Sequence, residues 1–236
     1  MYCDYFGFPL LTEPMWAYNR FIHNQCSLTY CPSPSTARML GTKGFQHLRI
    51  WPRGVDTTLF HPQRRSAELR MSWLQSRREP ETRAVILYVG RISWEKNLRL
   101  LLQAYRLMDH RRCHLVLVGD GPAYTEVLQE LTGLPVTFTG YLQGEELASA
   151  YASADVFAFP SRTETFGQVV LEAMASGLPV AGLLAEGVCD LVSDGRTGYL
   201  LDTGGLSEEQ EIAAYREQLT DLIEDKSTRA VMGQSA

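Results

Sequence analysis

The sequence predicts an α/β fold built on a doubly wound parallel sheet, and three observations carry that reading. From residue 84 onward, short apolar runs alternate with stretches of helical periodicity. The runs are apolar at every position, as in strands buried on both faces, where a half-exposed strand would alternate. Glycines and charged residues collect just after the runs, at the carboxyl ends of the strands, where open α/β sheets bind ligands.

The elements follow in order. Residues 1–62 stand apart from the alternating pattern. They offer a helix around Trp16–His23 and a second after Ser33-Pro34, where serine caps and proline takes the first turn. A short strand, LRIW (48–51), precedes Pro52. Residues 63–83 (QRRSAELRMSWLQSRREPETR) are polar and charged and read as a surface connection. AVILYV (84–89) is the first buried strand, and Leu98, Leu101, Leu102, Tyr105 and Met108 then recur at helical spacing. HLVLV (114–118) is the second, followed by Tyr124, Val127, Leu128 and Leu131 on one helix face. VTF (136–138) precedes a helix near Glu145–Ser153, and DVFAF (155–159) precedes another that Gly177 and Pro179 stop. LPVAG (178–182) and GYLL (198–201) are two more strands. The capping box Ser207-x-x-Gln210 opens a last helix with Ile212, Tyr215, Leu219, Leu222 and Ile223 inward.

Composition excludes several classes. An apolar fraction of 45% and a charged fraction of 21% describe a soluble globular protein. The net charge is −5, with an acidic cluster near the C-terminus that reads as a solvated helix face, so no nucleic-acid surface is expected. The five cysteines (Cys3, Cys26, Cys31, Cys113, Cys189) form no C-x-x-C pair, so reduced thiols are expected, with Cys113 and Cys189 as small buried hydrophobes. The N-terminus has no signal-peptide pattern, and no apolar run reaches the length of a membrane span. A cytoplasmic protein, peripheral on a membrane at most, is the expectation.

The residues after the strands carry the chemistry. GRISWEK brings Gly90, Arg91 and Lys96, GDGP spans 119–122, Gly140-Tyr141 follow the third strand, and PSRTE ends in Glu164. Neither G-x-x-x-x-G-K-[ST] nor G-x-G-x-x-G is present. Two cations flanking one strand end suit a diphosphate held without a P-loop, although ordinary surface charges would look the same. No acidic or histidine cluster suggests a divalent ion, so no metal is expected. In ETFGQVVLEAMASGLPV (164–180), Glu164 falls in the loop before a helix and Glu172 about two turns inside it. Free amides at 166–169, at the positive end of that helix, would face the same crevice. Glu172 could accept from both hydroxyls of a ribose, or it could be a buried ion pair with an arginine. Glu164 could accept from a second sugar.

GRISWEKN followed by this stretch resembles the family 4 retaining glycosyltransferases, which have the GT-B fold of two facing Rossmann-like domains. PRGVDTTLFHP (52–62), VGDGP (118–122), FTGYLQGEELASAYASADVFAFPS (138–161) and DGRTGYLL (194–201) extend the match. The middle section is similar to sulfoquinovosyl diacylglycerol synthases and related lipid glycosyltransferases. The resemblance implies a UDP- or GDP-sugar donor, a lipid acceptor and retention of configuration. Arg91, Lys96 and Glu164 would be catalytic. Gly90, Gly140, Tyr141, Phe166, Gly167, Gln168 and Glu172 would join them in holding the donor. It also implies a division into 1–62, a remnant of the acceptor-side domain, a linker at 63–83 and a donor domain at 84–236. A fragment or truncated product is therefore expected, prone to self-association, with a non-catalytic donor-binding or partner subunit as the alternative. A glycosidase fits poorly, because hydrolysis needs both carboxylates flanking one bond. A dehydrogenase lacks its glycine fingerprint.

Overall fold

The structure, a computed structural model, describes residues 9–74, 83–162, 164 and 166–236. Cys3, residues 75–82 of the expected connection, and Thr163 and Thr165 lie outside the described residues. The chain divides into two units, 1–53 and 54–236.

In the first unit a 3₁₀ turn, Pro9–Leu11, leads into α1 (Thr12–His23), β1 (Thr29–Cys31), α2 (Pro34–Thr42) and β2 (Leu48–Ile50). β1 pairs with β2 in parallel. Ser33 caps α2 as expected, its hydroxyl accepting from the Thr36 amide at 3.2 Å with Pro34 in the first turn. β1 is a strand the sequence did not announce, since three residues are too few to display a period. Met15, Tyr18 and Ile22, at helical spacing along α1, are 48%, 62% and 42% exposed.

In the second unit the sheet comprises β3 (Ala84–Val89), β4 (Cys113–Val118), β5 (Val136–Gly140), β6 (Val156–Phe159), β7 (Val180–Leu183) and β8 (Gly198–Leu201). The order is β5-β4-β3-β6-β7-β8, and every pairing is parallel. The expected doubly wound sheet is present. The four inner strands are buried at every position, whereas the edge strand β5 is half-buried throughout. Alternate residues of β3 feed two cores. Ile86 and Tyr88 join α4 (Leu98–Arg106), α5 (Tyr124–Glu130) and α8 (Glu208–Glu224). Val85, Leu87 and Val89 join α3 (Ala67–Leu74), α6 (Gly144–Ser153) and α7 (Gln168–Ala175). Ser207 and Gln210 complete the capping box of α8. α9 (Lys226–Ser235) follows, and its Arg229 guanidinium donates to the Leu222 and Ile223 carbonyls at the end of α8.

Three expectations need correction. Within the supposed connection 63–83, residues 67–74 form α3 with Arg70, Trp73 and Leu74 buried. The reason is an ion-pair cluster: Arg70 donates to Asp155 at 2.9 Å and to the Ser153 carbonyl at 2.7 Å, and Arg65 reaches Asp155 at 3.1 Å. Asp155 in turn accepts from the Val85 amide at 2.7 Å. Charge that reads as solvated in sequence thus pins α3 to the starts of β3 and β6. Cys189 is exposed, because Val188 and Val192, four apart, take the inward face of that turn. Leu128 is 46% exposed while Val127 and Leu131 are buried, so the inner face of α5 is narrower than its apolar residues suggest.

Candidate functional site

The chain winds outward from β3 through β4 to β5, then returns to the other side of β3 with β6. β3 and β6 therefore flank the point where the winding reverses, and open α/β sheets bind ligands in the crevice beyond the carboxyl ends of such strands. Of the loops at those ends, one carries Gly90, Arg91 and Lys96 and the other carries Pro160 and Glu164.

The loop after β3 is anchored from below. Ile92 and Ser93 are buried, and the Tyr88 hydroxyl donates to the Arg91 carbonyl at 3.0 Å. Ile92 exchanges backbone bonds with the loop after β4, donating to the Asp120 carbonyl at 2.9 Å and accepting from Ala123 at 3.0 Å. A Cβ on Gly119 would lie 2.0 Å from the Gly90 carbonyl oxygen, and one on Gly121 would lie 2.3 Å from that of Ile92. The glycines of GDGP thus let two backbones touch. A 3₁₀ turn, Trp94–Lys96, then ends at Asn97, whose left-handed φ of 56° asparagine tolerates better than most residues. Its side-chain amide donates to the Pro160 carbonyl at 3.0 Å, stitching the two loops together across the crevice.

This stitch brings Lys96 within 3.5 Å of Glu164. Arg91, 62% exposed, lies 3.6 Å from Glu95 one turn on. The amides of Phe166 and Gly167, expected to be free, donate instead to the Glu164 carboxylate at 3.3 and 3.2 Å. The reason is electrostatic: a carboxylate at the start of α7 meets unpaired amides and the positive end of the helix. Gly167, at φ 62°, begins the helix, and a Cβ there would sit 2.3 Å from a methyl of Leu191. The left-handed backbone therefore favours glycine here, whatever a ligand asks of it. The Gln168 side chain donates to the Gly54 carbonyl at 3.4 Å.

Glu172 sits one turn further along α7, half-buried. The Tyr151 hydroxyl donates to its carboxylate at 3.0 Å, and among the described residues it has no ion pair. That overturns the arginine-pair alternative. Burial pushes the Glu172 carboxyl above its ordinary value, against the opposing hydrogen bonds of Tyr151 and Gln168. Gly140 and Tyr141 end the edge strand β5, separated from β3 by β4. Gly140 accepts from the Gly119 amide at 2.8 Å, and Tyr141 is 75% exposed. Among the described residues no group of three histidine, cysteine, aspartate or glutamate side chains could hold a metal ion. A cavity of about 620 Å³ beside Arg83, His110 and Pro135 lies at the opposite, amino ends of the strands, remote from these groups.

Sequence reasoning missed Asn97 and Tyr151. Asn97 had a signal, an asparagine directly before an apolar-periodic run. Tyr151 had none, because its partner lies 21 residues away on another helix.

The family described as glycosyl transferases group 1 matches residues 70–236. This chain belongs to that family. Its relatives include sulfoquinovosyl transferase SQD2 of Arabidopsis thaliana, 40% identical over 243 residues, a match covering 100% of this chain and 45% of the relative. A GDP-mannose-dependent alpha-mannosyltransferase of Mycolicibacterium smegmatis is 40% identical over 205 residues, covering 86% of this chain and 52% of the relative. The chain thus spans about half the length of these curated relatives. Among solved structures, sucrose-phosphate synthase from Thermosynechococcus elongatus matches with a TM-score of 0.78 and 26% identity, over 94% of this chain and 55% of that one. Anabaena HepE in complex with UDP-glucose gives 0.76 and 24%, over 95% and 62%, a likeness of fold.

Proposed function

We propose that this group 1 glycosyl transferase takes a sugar from a UDP- or GDP-sugar and passes it, with retention, to a lipid acceptor. The observation that carries the reading is the crevice at the winding reversal. It sets Lys96 against Glu164, whose carboxylate accepts from the Phe166 and Gly167 amides just ahead of α7. In this reading Arg91 and Lys96 hold the diphosphate and stabilise it as it leaves. Lys96 exchanges Glu164 for a phosphate oxygen, and the released carboxylate accepts from a hydroxyl of the donor sugar. Glu172 accepts from the ribose, Gly140 and Tyr141 border the base, and Gly90, Phe166, Gly167 and Gln168 complete the donor contacts. The acceptor oxygen attacks the anomeric carbon from the face the phosphate leaves. The carbon–phosphate-oxygen bond breaks, and the departing oxygen takes the acceptor's proton.

A lipid acceptor is supported by a phosphatidylinositol dimannoside mannosyltransferase of Mycobacterium tuberculosis, 32% identical over 145 residues. Contact with a membrane at its surface goes with such an acceptor. Among the described residues no helix is long and apolar enough to cross one. The exposed apolar side chains of α1 support self-association. We retain the proposed division into an acceptor-side remnant and a donor domain, with its boundary moved to the division at 53/54. A second reading, in which these residues hold donor without turning it over, shares the same donor site and differs from the first only in the transfer step.

Calorimetric titration with UDP, GDP, ADP and their sugars, followed by a transfer assay on diacylglycerol and phosphatidylinositol vesicles, tests both. Binding with transfer supports the first reading and binding alone the second. No nucleotide binding would sink both.

A further inference from the structure

We propose that Tyr151 is the positioning residue of the donor site: it holds one oxygen of Glu172 so that the other is presented to the ribose hydroxyls. This rests on the donor reading above and adds to it a residue outside the crevice.

The geometry is specific. The Tyr151 hydroxyl donates to Oε2 of Glu172 at 3.0 Å, joining α6 to α7. The tyrosine ring is fully buried and cannot swing, held edge-on by Phe60 at 5.7 Å and against Phe157 at 5.8 Å. A rigid aromatic donor fixes where the carboxylate points more firmly than a lysine or arginine on a flexible stem. A glutamate with three rotatable bonds has many orientations on a helix surface, and a bond from a clamped phenol selects one. A carboxylate offers about four acceptor positions, so one taken by Tyr151 leaves enough for a vicinal diol.

The same bond sets the charge state. Burial raises the Glu172 carboxyl and the bond from Tyr151 lowers it. The elements in main contact with α7 are α6, β6 and β7, whose ionisable side chains are Glu145, Glu146 and Tyr151, all on α6. Glu145 and Glu146 lie in the first turn of α6, and Tyr151 is the one that reaches Glu172. Without the hydroxyl, nothing on these elements offsets burial except Gln168 on α7 itself. The carboxyl then titrates at a higher pH, and its ionised, diol-accepting form is lost sooner as pH falls.

The test is calorimetry with UDP and 2′-deoxy-UDP from pH 5 to 8 on the wild type, Tyr151→Phe, Glu172→Gln and the double variant. Tyr151→Phe is expected to lower UDP affinity about tenfold at neutral pH, the loss growing toward pH 5, in line with a hydrogen bond to a charged group. Affinity for 2′-deoxy-UDP should change far less. In the Glu172→Gln background, Tyr151→Phe should add nothing. Should the phenylalanine variant not fold, Tyr151→Met, a smaller and more adaptable apolar side chain without the hydroxyl, carries the same expectations. Equal losses for both nucleotides, an unchanged pH profile, or additive effects in the double variant would each overturn the positioning role while leaving the donor reading intact. A folded wild type that binds neither UDP nor GDP overturns the donor reading and this proposal with it.

Discussion

Arg91 and Glu172 should respond to substitution in different ways. Arg91 is exposed at the rim, so Arg91→Ala should leave the fold unchanged and lower nucleoside-diphosphate affinity by about 1.5–3 kcal/mol, as a charge-assisted bond left unmade does. Binding of the bare nucleoside should hardly change, and comparative calorimetry checks the pair. Equal losses for both would remove the phosphate role. Glu172 is a carboxyl whose folded-state value is raised from 4.5, so the native chain holds its proton longer than the unfolded chain. Its ionisation therefore subtracts stability as pH rises above about 4.5. Glu172→Gln should flatten that decline and melt no lower than the wild type at pH 7, while nucleotide affinity falls. Melting curves across pH read both effects, and a lower melting point at pH 7 would contradict the burial argument.

At the scale of elements, two joints tie the ends of the strands together. One is Asp155, which receives Arg65, Arg70 and the Val85 amide at the amino end of the sheet. Asp155→Ala leaves a buried guanidinium unpaired and should cost about 3–5 kcal/mol in urea unfolding. Nucleotide affinity of the folded fraction should stay, since this cluster lies at the opposite ends of the strands. The other joint is Asn97, which combines a left-handed backbone with a bond to Pro160. Asn97→Gly keeps the backbone freedom and loses the bond, so it should weaken nucleotide binding with little loss of stability. Asn97→Ala loses both and should also destabilise by about 1 kcal/mol. If the glycine variant binds as tightly as the wild type, the stitch does not position Lys96.

For the whole molecule, any ligand that binds only the folded state raises its stability, by about 2.7 kcal/mol at a hundredfold excess over Kd. UDP or GDP should therefore raise the melting temperature, and EDTA should not abolish the rise if Arg91 and Lys96 carry the diphosphate. What the sequence revealed depended on how far each signal reaches. Strands buried on both faces announce themselves through unbroken apolar runs, which is why β3, β4 and β6 were legible. Motif residues at strand ends were legible for the same reason, by their place after a run. α3 was not, because Arg70 is buried through Asp155, 85 positions away, and the Ser153 carbonyl, 83 away. Nor was the bond from Tyr151 to Glu172, and the amides of Phe166 and Gly167 gave no hint that Glu164 would occupy them.

The stitch between Asn97 and Pro160 spans 63 residues, and β3 cannot pair with β6 until β4 and β5 have been laid down or left aside. Contacts that close loops of this length pay their entropy before they return any stabilisation, so they form late in folding. The ligand crevice should consequently be among the last parts of the chain to form. A nucleotide has nothing to grip in the folding transition state, so it should slow unfolding and leave the refolding rate unchanged. In a chevron plot, added UDP should shift only the unfolding arm.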